Sequence, residues 1–424
     1  MNLFQTFRNS SFVRNSLTLI FGTALAQLIP ILLQPLLRRS YSPEQFGLIS
    51  VYLTLVGMFA AISNFKYESA IVIPKEKKEA DHLVAMGLIL SFLMSVILFV
   101  VMYLIQDTWT AFLKIDSTHI WFFYFIPMSV FFVSGFKCLN MYLIRNNAFK
   151  KSSQNKILRR SSEGFTQGVL GLYHNPHGLF SGMILGDLVN FSASLIQSIK
   201  LGFKLNLTHI KEIINTAKKH WKFPVYHAIP SLLNTISLTL PVLIINEFYG
   251  EYQTGQYDLS RLILSLPMAL ISISLSQVYL QNMAGKIQKS QSIIKLFNKT
   301  SLFLFLISLP IIFVVYFFAE PIFDMFFGSQ WQDAAKMTSL LVFSQALKFI
   351  VSPLSASLVA LSDVKYSAFW QIAYFLLIGS LFFIENVSLY DLLKIYLIID
   401  LSAYTIYYFI IRFRIMKYES LKKT

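Results

Sequence analysis

Apolar runs of about 18 or more residues recur along this chain, each closed by charged or turn-forming residues. They cover Ser16–Leu37, Phe46–Phe65, Leu83–Ile105, Ile120–Ile144, Phe165–Tyr173, Leu179–Ile199, Val225–Ile245, Tyr257–Leu280, Leu296–Phe318, Met337–Leu361, Ser367–Ile384 and Leu389–Ile411. At 1.5 Å of rise per residue, about 20 residues cross a hydrocarbon layer of about 30 Å, so the pattern predicts about twelve membrane-spanning helices. The fifth is the shortest. It reaches spanning length only by starting near Leu158, which places Arg159, Arg160 and Glu163 in its first turns. The sequence His-Asn-Pro-His-Gly at 174–178 then predicts a tight turn into the sixth. The first run has no small-residue cleavage site, so it is expected to stay as an anchor.

Several spans carry polar residues at helical spacing. In the first, Thr23, Gln27, Gln34 and Arg38 share one stripe, which is expected to face protein or water and not lipid. Pro230, Asn234, Ser237 and Pro241 form a similar stripe on the seventh span, and both stripes lead into a short Tyr-bearing turn ending at Gly47 or Gly255. The second half therefore reads as beginning like the first. Two six-helix lobes are predicted, residues 1–200 and 224–424, related by a pseudo-twofold axis along the membrane normal and joined by a linker over 201–223. Within that linker Ile210, Ile213, Ile214 and Ala217, flanked by Lys211, Lys218, Lys219 and Trp221, predict a short amphipathic interfacial helix.

Composition agrees with a polytopic membrane protein: of 424 residues 55% are hydrophobic and only 13% charged, and the mean hydropathy is +0.59. The fold class expected is thus all-α and polytopic. A net charge of +15 would suit nucleic acid, but its placement argues otherwise. With the N-terminus inside, 28 of the 36 Lys and Arg fall in cytoplasmic segments and only 4 (Arg38, Arg39, Lys114 and Lys336) in outer ones. That bias predicts cytoplasmic termini and makes the basic loops a topology device and lipid-surface contact, which argues against nucleic acid as the partner. Cys138 is the single cysteine, so no internal disulfide can form.

Ionisable residues at membrane depth are the candidates for function, because each costs at least about 2.5–3.5 kcal/mol to insert. The cations are Arg261, on a face with Ser265, Ser272 and Ser276; Lys348, between Ser344 and Ser352; and Lys137, near the inner end of the fourth span. Arg38 and Arg39 stand at the outer end of the first; Arg38 is on the polar stripe, yet the choice between the two stays open. Asp258 lies one turn before Arg261 and could pair with it. Asp187 (with Asn190 and Ser194) and Asp400 (with Tyr404 and Tyr407) are the acids well inside spans. Each can serve in proton or sodium coupling or in an ion pair inside its lobe. Gly182, Gly186 and Asn190, four apart, predict close helix packing. The seven histidines have no metal-ligand spacing, and there is no Walker loop, GxSxG elbow or phosphate-cradling glycine run. No cofactor and no metal are expected.

The runs GTALAQLIPILLQPLLRRSYSPEQFG, FKYESAIVIPKEKKEADHL, YHAIPSLLNTISLTLPVLIINEFYGEYQTGQYDLSRLILSLP and IFDMFFGSQWQDAAKMTSLL resemble the polysaccharide flippases of bacterial inner membranes, the Wzx type. These belong to the superfamily that includes multidrug extruders and the lipid II flippase. The resemblance implies two six-helix lobes around a central cavity. It further implies movement of undecaprenyl-diphosphate-linked repeat units from the cytoplasmic to the periplasmic leaflet for O-antigen or capsule assembly, with a polysaccharide polymerase and a chain-length regulator as partner proteins. Arg38 departs from the usual pattern, which has an uncharged residue before Arg39. On this reading Arg38, Arg39, Lys137, Arg261 and Lys348 meet the diphosphate, and Gln27, Gln34 and Asn234 meet sugars or line the cavity. An antiporter of cationic drugs with the same fold would instead need an acidic, aromatic cavity. A polymerase or ligase would need a sizeable outer loop, and the longest outer segments, Gln106–His119 and Ala319–Lys336, are short.

Overall fold

The computed structural model describes residues 11–205 and 209–421. Arg8, Lys422 and Lys423, counted above for topology, lie outside the described residues, as do the side chains of Arg14 and Thr23. Among the described residues the regular elements are all helical: α1 (Ser11–Ser40), α2 (Pro43–Ile62), α3 (Lys77–Leu104), α4 (Ile126–Arg145), α5 (Phe149–Leu172), α6 (Gly178–Lys200), α7 (Ile210–Lys219), α8 (Ile229–Gln288), α9 (Ile294–Phe327), α10 (Gln332–Leu354), α11 (Val364–Gly379) and α12 (Leu389–Leu421). Nine helical segments among them are long and apolar enough to cross a membrane. The protein is an all-α, multi-pass membrane protein.

One expectation is corrected. The fifth helix does not begin near Leu158 but at Phe149, so Lys150, Lys151, Lys156, Arg159 and Arg160 are all helical. It tolerates them because its buried face is polar or small: Ser152, Ser153, Asn155, Gly164, Gln167, Gly168 and Gly171. The turn expected between the seventh and eighth spans, ahead of Gly255, is found at Gly250. Gly250 takes φ 83°, ψ 178°, a non-helical conformation that L side chains rarely adopt, so α8 is two helices meeting at this residue.

The chain divides into two compact units, Met1–Ile236 and Ser237–Thr424. In the first, a buried cluster of Tyr67, Ile71, Leu83, Val84, Leu88, Cys138, Leu139, Tyr142, Phe203 and Ala217 ties α3 and α4 to the amphipathic α7. Polar links hold α7 there as well: Lys78 to Glu212 at 2.6 Å and Lys219 to Glu79 at 2.8 Å. Also in this unit, α5 and α6 pack at backbone distance. A Cβ on Gly182 would stand 2.7 Å from the Glu163 carbonyl, and one on Gly186 3.2 Å from that of Arg159. In the second unit Phe297, Leu304, Phe349, Val351, Leu354, Tyr407, Ile411 and Ile415 form the centre of the core. Outside it, α9 leaves Leu302, Phe303, Phe305, Leu306, Phe313 and Phe317 exposed, a surface suited to lipid.

Candidate functional site

In the second unit a cavity of about 290 Å³ opens among α8, α10 and α12. On α10 Leu341, Ser344, Gln345 and Lys348 recur at helical spacing, so one stripe of that helix lines it. From α8 come Thr239, Tyr257, Asp258, Arg261 and Ser265, and α12 supplies Tyr396. Arg261 and Lys348, some 87 positions apart in the chain, thus share one chamber. Its lining has two cations against one acid.

The two cations are held differently. Arg261 is partly exposed, and its guanidinium stands 3.9 Å from Asp258, a loose contact that leaves most of its donors directed elsewhere. Lys348 is nearly buried and carries an ion pair to Asp400 at 2.5 Å, with the Tyr396 hydroxyl 3.3 Å from its Nζ. Asp400 also accepts a 2.7 Å hydrogen bond from the Tyr374 hydroxyl. Behind it Trp370 stacks on Tyr374 and Tyr407, 5.0 and 4.2 Å between ring centres. A fully desolvated carboxylate needs a partner, and here it has a cation and a phenol. Lys348 therefore brings less net positive charge to the chamber than its sequence position suggests, and Arg261 is its more available cation.

The remaining candidates are dispersed. Asp187 pairs with Arg159 at 2.6 Å inside the first unit. Gln27 faces a separate, smaller cavity of that unit, lined also by Lys156, Arg159, Arg160 and Asn190. Arg38 is 1% exposed, and its Nε donates to Gln34 at 2.9 Å while its guanidinium lies 3.5 Å over the Phe46 ring. It fastens the end of α1 to the start of α2, whereas Arg39 is exposed. Lys137 donates to the Ala60 carbonyl at 2.8 Å. Asn234 is exposed and does not line the chamber of the second unit.

Tyr257, Gln345 and Tyr396, with Lys156 of the first unit, escaped the sequence reading. Gln345 could have been found from its place three residues before Lys348, on the same stripe. The tyrosines could not, among 21 in the chain.

The polysaccharide biosynthesis protein family matches residues 36–336. The succinoglycan biosynthesis transport protein ExoT of Rhizobium meliloti is 25% identical over 79% of this chain and 66% of its own length. The lipopolysaccharide biosynthesis protein WzxC of Escherichia coli is 21% identical over 82% of this chain and 68% of its own. The teichuronic acid biosynthesis protein TuaB of Bacillus subtilis is 22% identical over 45% of this chain and 40% of its own length. This chain thus spans about two thirds or less of these relatives. Among solved structures, an inward-facing multidrug transporter of the MATE family has a TM-score of 0.73 at 16% identity, covering 95% of this chain and 99% of its own. The lipid II flippase MurJ in an inward closed conformation also scores 0.73, at 15% identity, covering 94% and 87%. At such identities these two likenesses establish the fold and nothing finer.

Proposed function

We propose, from the premise that this chain belongs to the polysaccharide biosynthesis protein family, that it is a flippase and not an enzyme. Its cargo would be saccharide units linked through a diphosphate to a polyprenyl lipid, undecaprenol in bacteria. It would carry them from the cytoplasmic to the periplasmic leaflet of the inner membrane for surface polysaccharide assembly. The observation that carries the reading is the convergence of Arg261 and Lys348 on one cavity within a membrane unit. A diphosphate head group bears about two negative charges, and stripping it of water is prohibitive without cations and hydrogen-bond donors at the same depth. Arg261 offers five N–H donors in a fork that fits phosphate oxygens, and Ser265, Ser344, Gln345 and Tyr396 add neutral partners for phosphate or sugar. The lipid tail can remain in the bilayer while the head group passes.

The charge bias supports cytoplasmic termini. Alternating access of the kind used by two-lobed transporters is the mechanism that needs no bond cleavage. A proton or sodium gradient would drive it, with Asp400 and Asp187 as the carboxylates available to sense the ion, and a polymerase and chain-length regulator would use the product. Relatives named for succinoglycan transport and for lipopolysaccharide and teichuronic acid biosynthesis support the substrate class. The lining, richer in cations than acids, does not suit a site for cationic drugs.

The test is Arg261→Ala in a polysaccharide-producing strain that depends on this chain. Surface polysaccharide is expected to be lost while the protein stays in the membrane at normal abundance. Normal polysaccharide in that variant would remove Arg261 from the substrate path.

A further inference from the structure

The first unit holds a second cavity, about 180 Å³, between α1, α4, α5 and α6. It is lined by Ala26, Gln27, Phe136, Lys156, Arg159, Arg160 and Asn190, so three cations and no carboxylate are on its wall. The three cations are half-buried, which leaves the cavity reachable from outside. Asp187 and Glu163 touch two of them from behind the wall, Asp187 to Arg159 at 2.6 Å and Glu163 to Arg160 at 2.9 Å. Two buried polar atoms here have no hydrogen-bond partner: Nε of Arg159, and Oδ1 of Asn190, a residue only 3% exposed. A buried guanidinium N–H and a buried amide oxygen that go unbonded are each costly unless something in the cavity meets them. It is the pattern expected where a ligand bearing both an anion and a hydroxyl completes the shell.

We propose that this cavity binds the phosphate of a lipid head group, and that Asp187 is its internal competitor. Lys156, Arg159 and Arg160 would hold the phosphate oxygens, as basic pockets between membrane helices hold anionic head groups, and Asn190 would accept from a neighbouring hydroxyl. Asp187 shares Arg159 with the incoming phosphate, so the carboxylate holds the guanidinium in place when the site is empty and yields part of it when the site fills. Occupancy of this cavity can be measured whether or not the protein transports anything.

Two probes separate the sources of the phosphate: phosphatidylglycerol, a bulk membrane phosphodiester, and farnesyl diphosphate, a short prenyl diphosphate. Each is titrated against the purified full-length protein in detergent by native mass spectrometry, with diacylglycerol as the uncharged control. Lys156→Gln, which leaves both observed ion pairs intact, is expected to weaken binding about tenfold, and Asp187→Asn to tighten it about tenfold, roughly 1.4 kcal/mol. A merely structural Asp187 would not give that tightening. If Asp187→Asn does not fold, Glu163→Gln, which releases Arg160, is expected to move affinity in the same direction. Effects confined to phosphatidylglycerol assign the site to bulk lipid, and effects confined to farnesyl diphosphate assign it to prenyl diphosphates. Affinities within twofold of the unsubstituted protein in Lys156→Gln and in the acid variant, for both probes, would overturn the proposal.

Discussion

The buried pair of Lys348 and Asp400 permits a quantitative prediction. Their charged atoms are 2.5 Å apart, the lysine side chain is 15% exposed and the aspartate 0%, and the Tyr374 hydroxyl completes the carboxylate at 2.7 Å. Removing one partner leaves the other charge in a site that offers it little water, a loss of about 3–5 kcal/mol. In a unit of this size each kcal/mol shifts the unfolding midpoint by about 2–4 °C, so Lys348→Met or Asp400→Asn alone should lower it by about 6–20 °C. Replacing both removes the stranded charge. Asparagine still accepts from Tyr374, and methionine fills the space of the lysine stem, so the double variant should fall within about 1–2 kcal/mol of the original. The assay is thermal unfolding of the purified protein in one detergent, across all four members of the cycle. Single variants that shift the midpoint by less than about 2 °C, or a double variant as unstable as the two losses added, would refute the reasoning. The first result would mean that solvent already reaches the pair. The second would mean that the two residues act independently.

Packing and the cytoplasmic linker give two more expectations. Gly182→Val must push its side chain into Gln167 Cγ, 2.5 Å from an added Cβ, and the Glu163 carbonyl at 2.7 Å; a cost of about 1–3 kcal/mol is expected from melting curves, and an unchanged midpoint would show that α5 and α6 can part freely. At α7, the hydrogen bond from Lys78 holds the Glu212 carboxyl below its ordinary range, so its stabilising effect exists above the unfolded value near pH 4.3 and is lost as pH falls through the lowered one. Glu212→Gln should therefore speed hydrogen exchange in residues 210–219 at pH 7, with the difference shrinking as acid protonates the carboxyl; equal exchange at pH 7 would show that this link does not hold the helix.

Much of the architecture was readable because hydrophobic length and helical period are local properties. The runs around Leu83–Ile105 and Leu389–Ile411 recur as α3 and α12, and the amphipathic stripe Ile210–Ala217 recurs as α7. The boundary of α5 was not readable in this way. Its buried face is made of serine, asparagine, glutamine and glycine, residues that a hydropathy scan assigns to loops, so the helix starts earlier than the apolar run does. The site divides along the same line. The stripe Ser344–Lys348 follows from period alone, but the partner of Lys348 lies 52 positions away on another helix, and periodicity names a face without naming what it meets. Helical spacing puts Arg38 on the polar stripe without naming what it meets, and the Phe46 ring, contributed by the next helix, covers it, so that Arg38 is buried and Arg39 exposed.

The central claim is transport, and reconstitution measures it without a cell. The full-length protein is placed in liposomes with a fluorescent, short-chain polyprenyl-diphosphate-linked saccharide, and access of an impermeant quencher to the two leaflets is followed. The account predicts that the protected fraction of the lipid exchanges into the quenched leaflet in protein-bearing liposomes, and that Arg261→Ala liposomes remain at the protein-free rate. Exchange no faster than in protein-free liposomes, with accumulation of a cationic dye in the same vesicles, would contradict it.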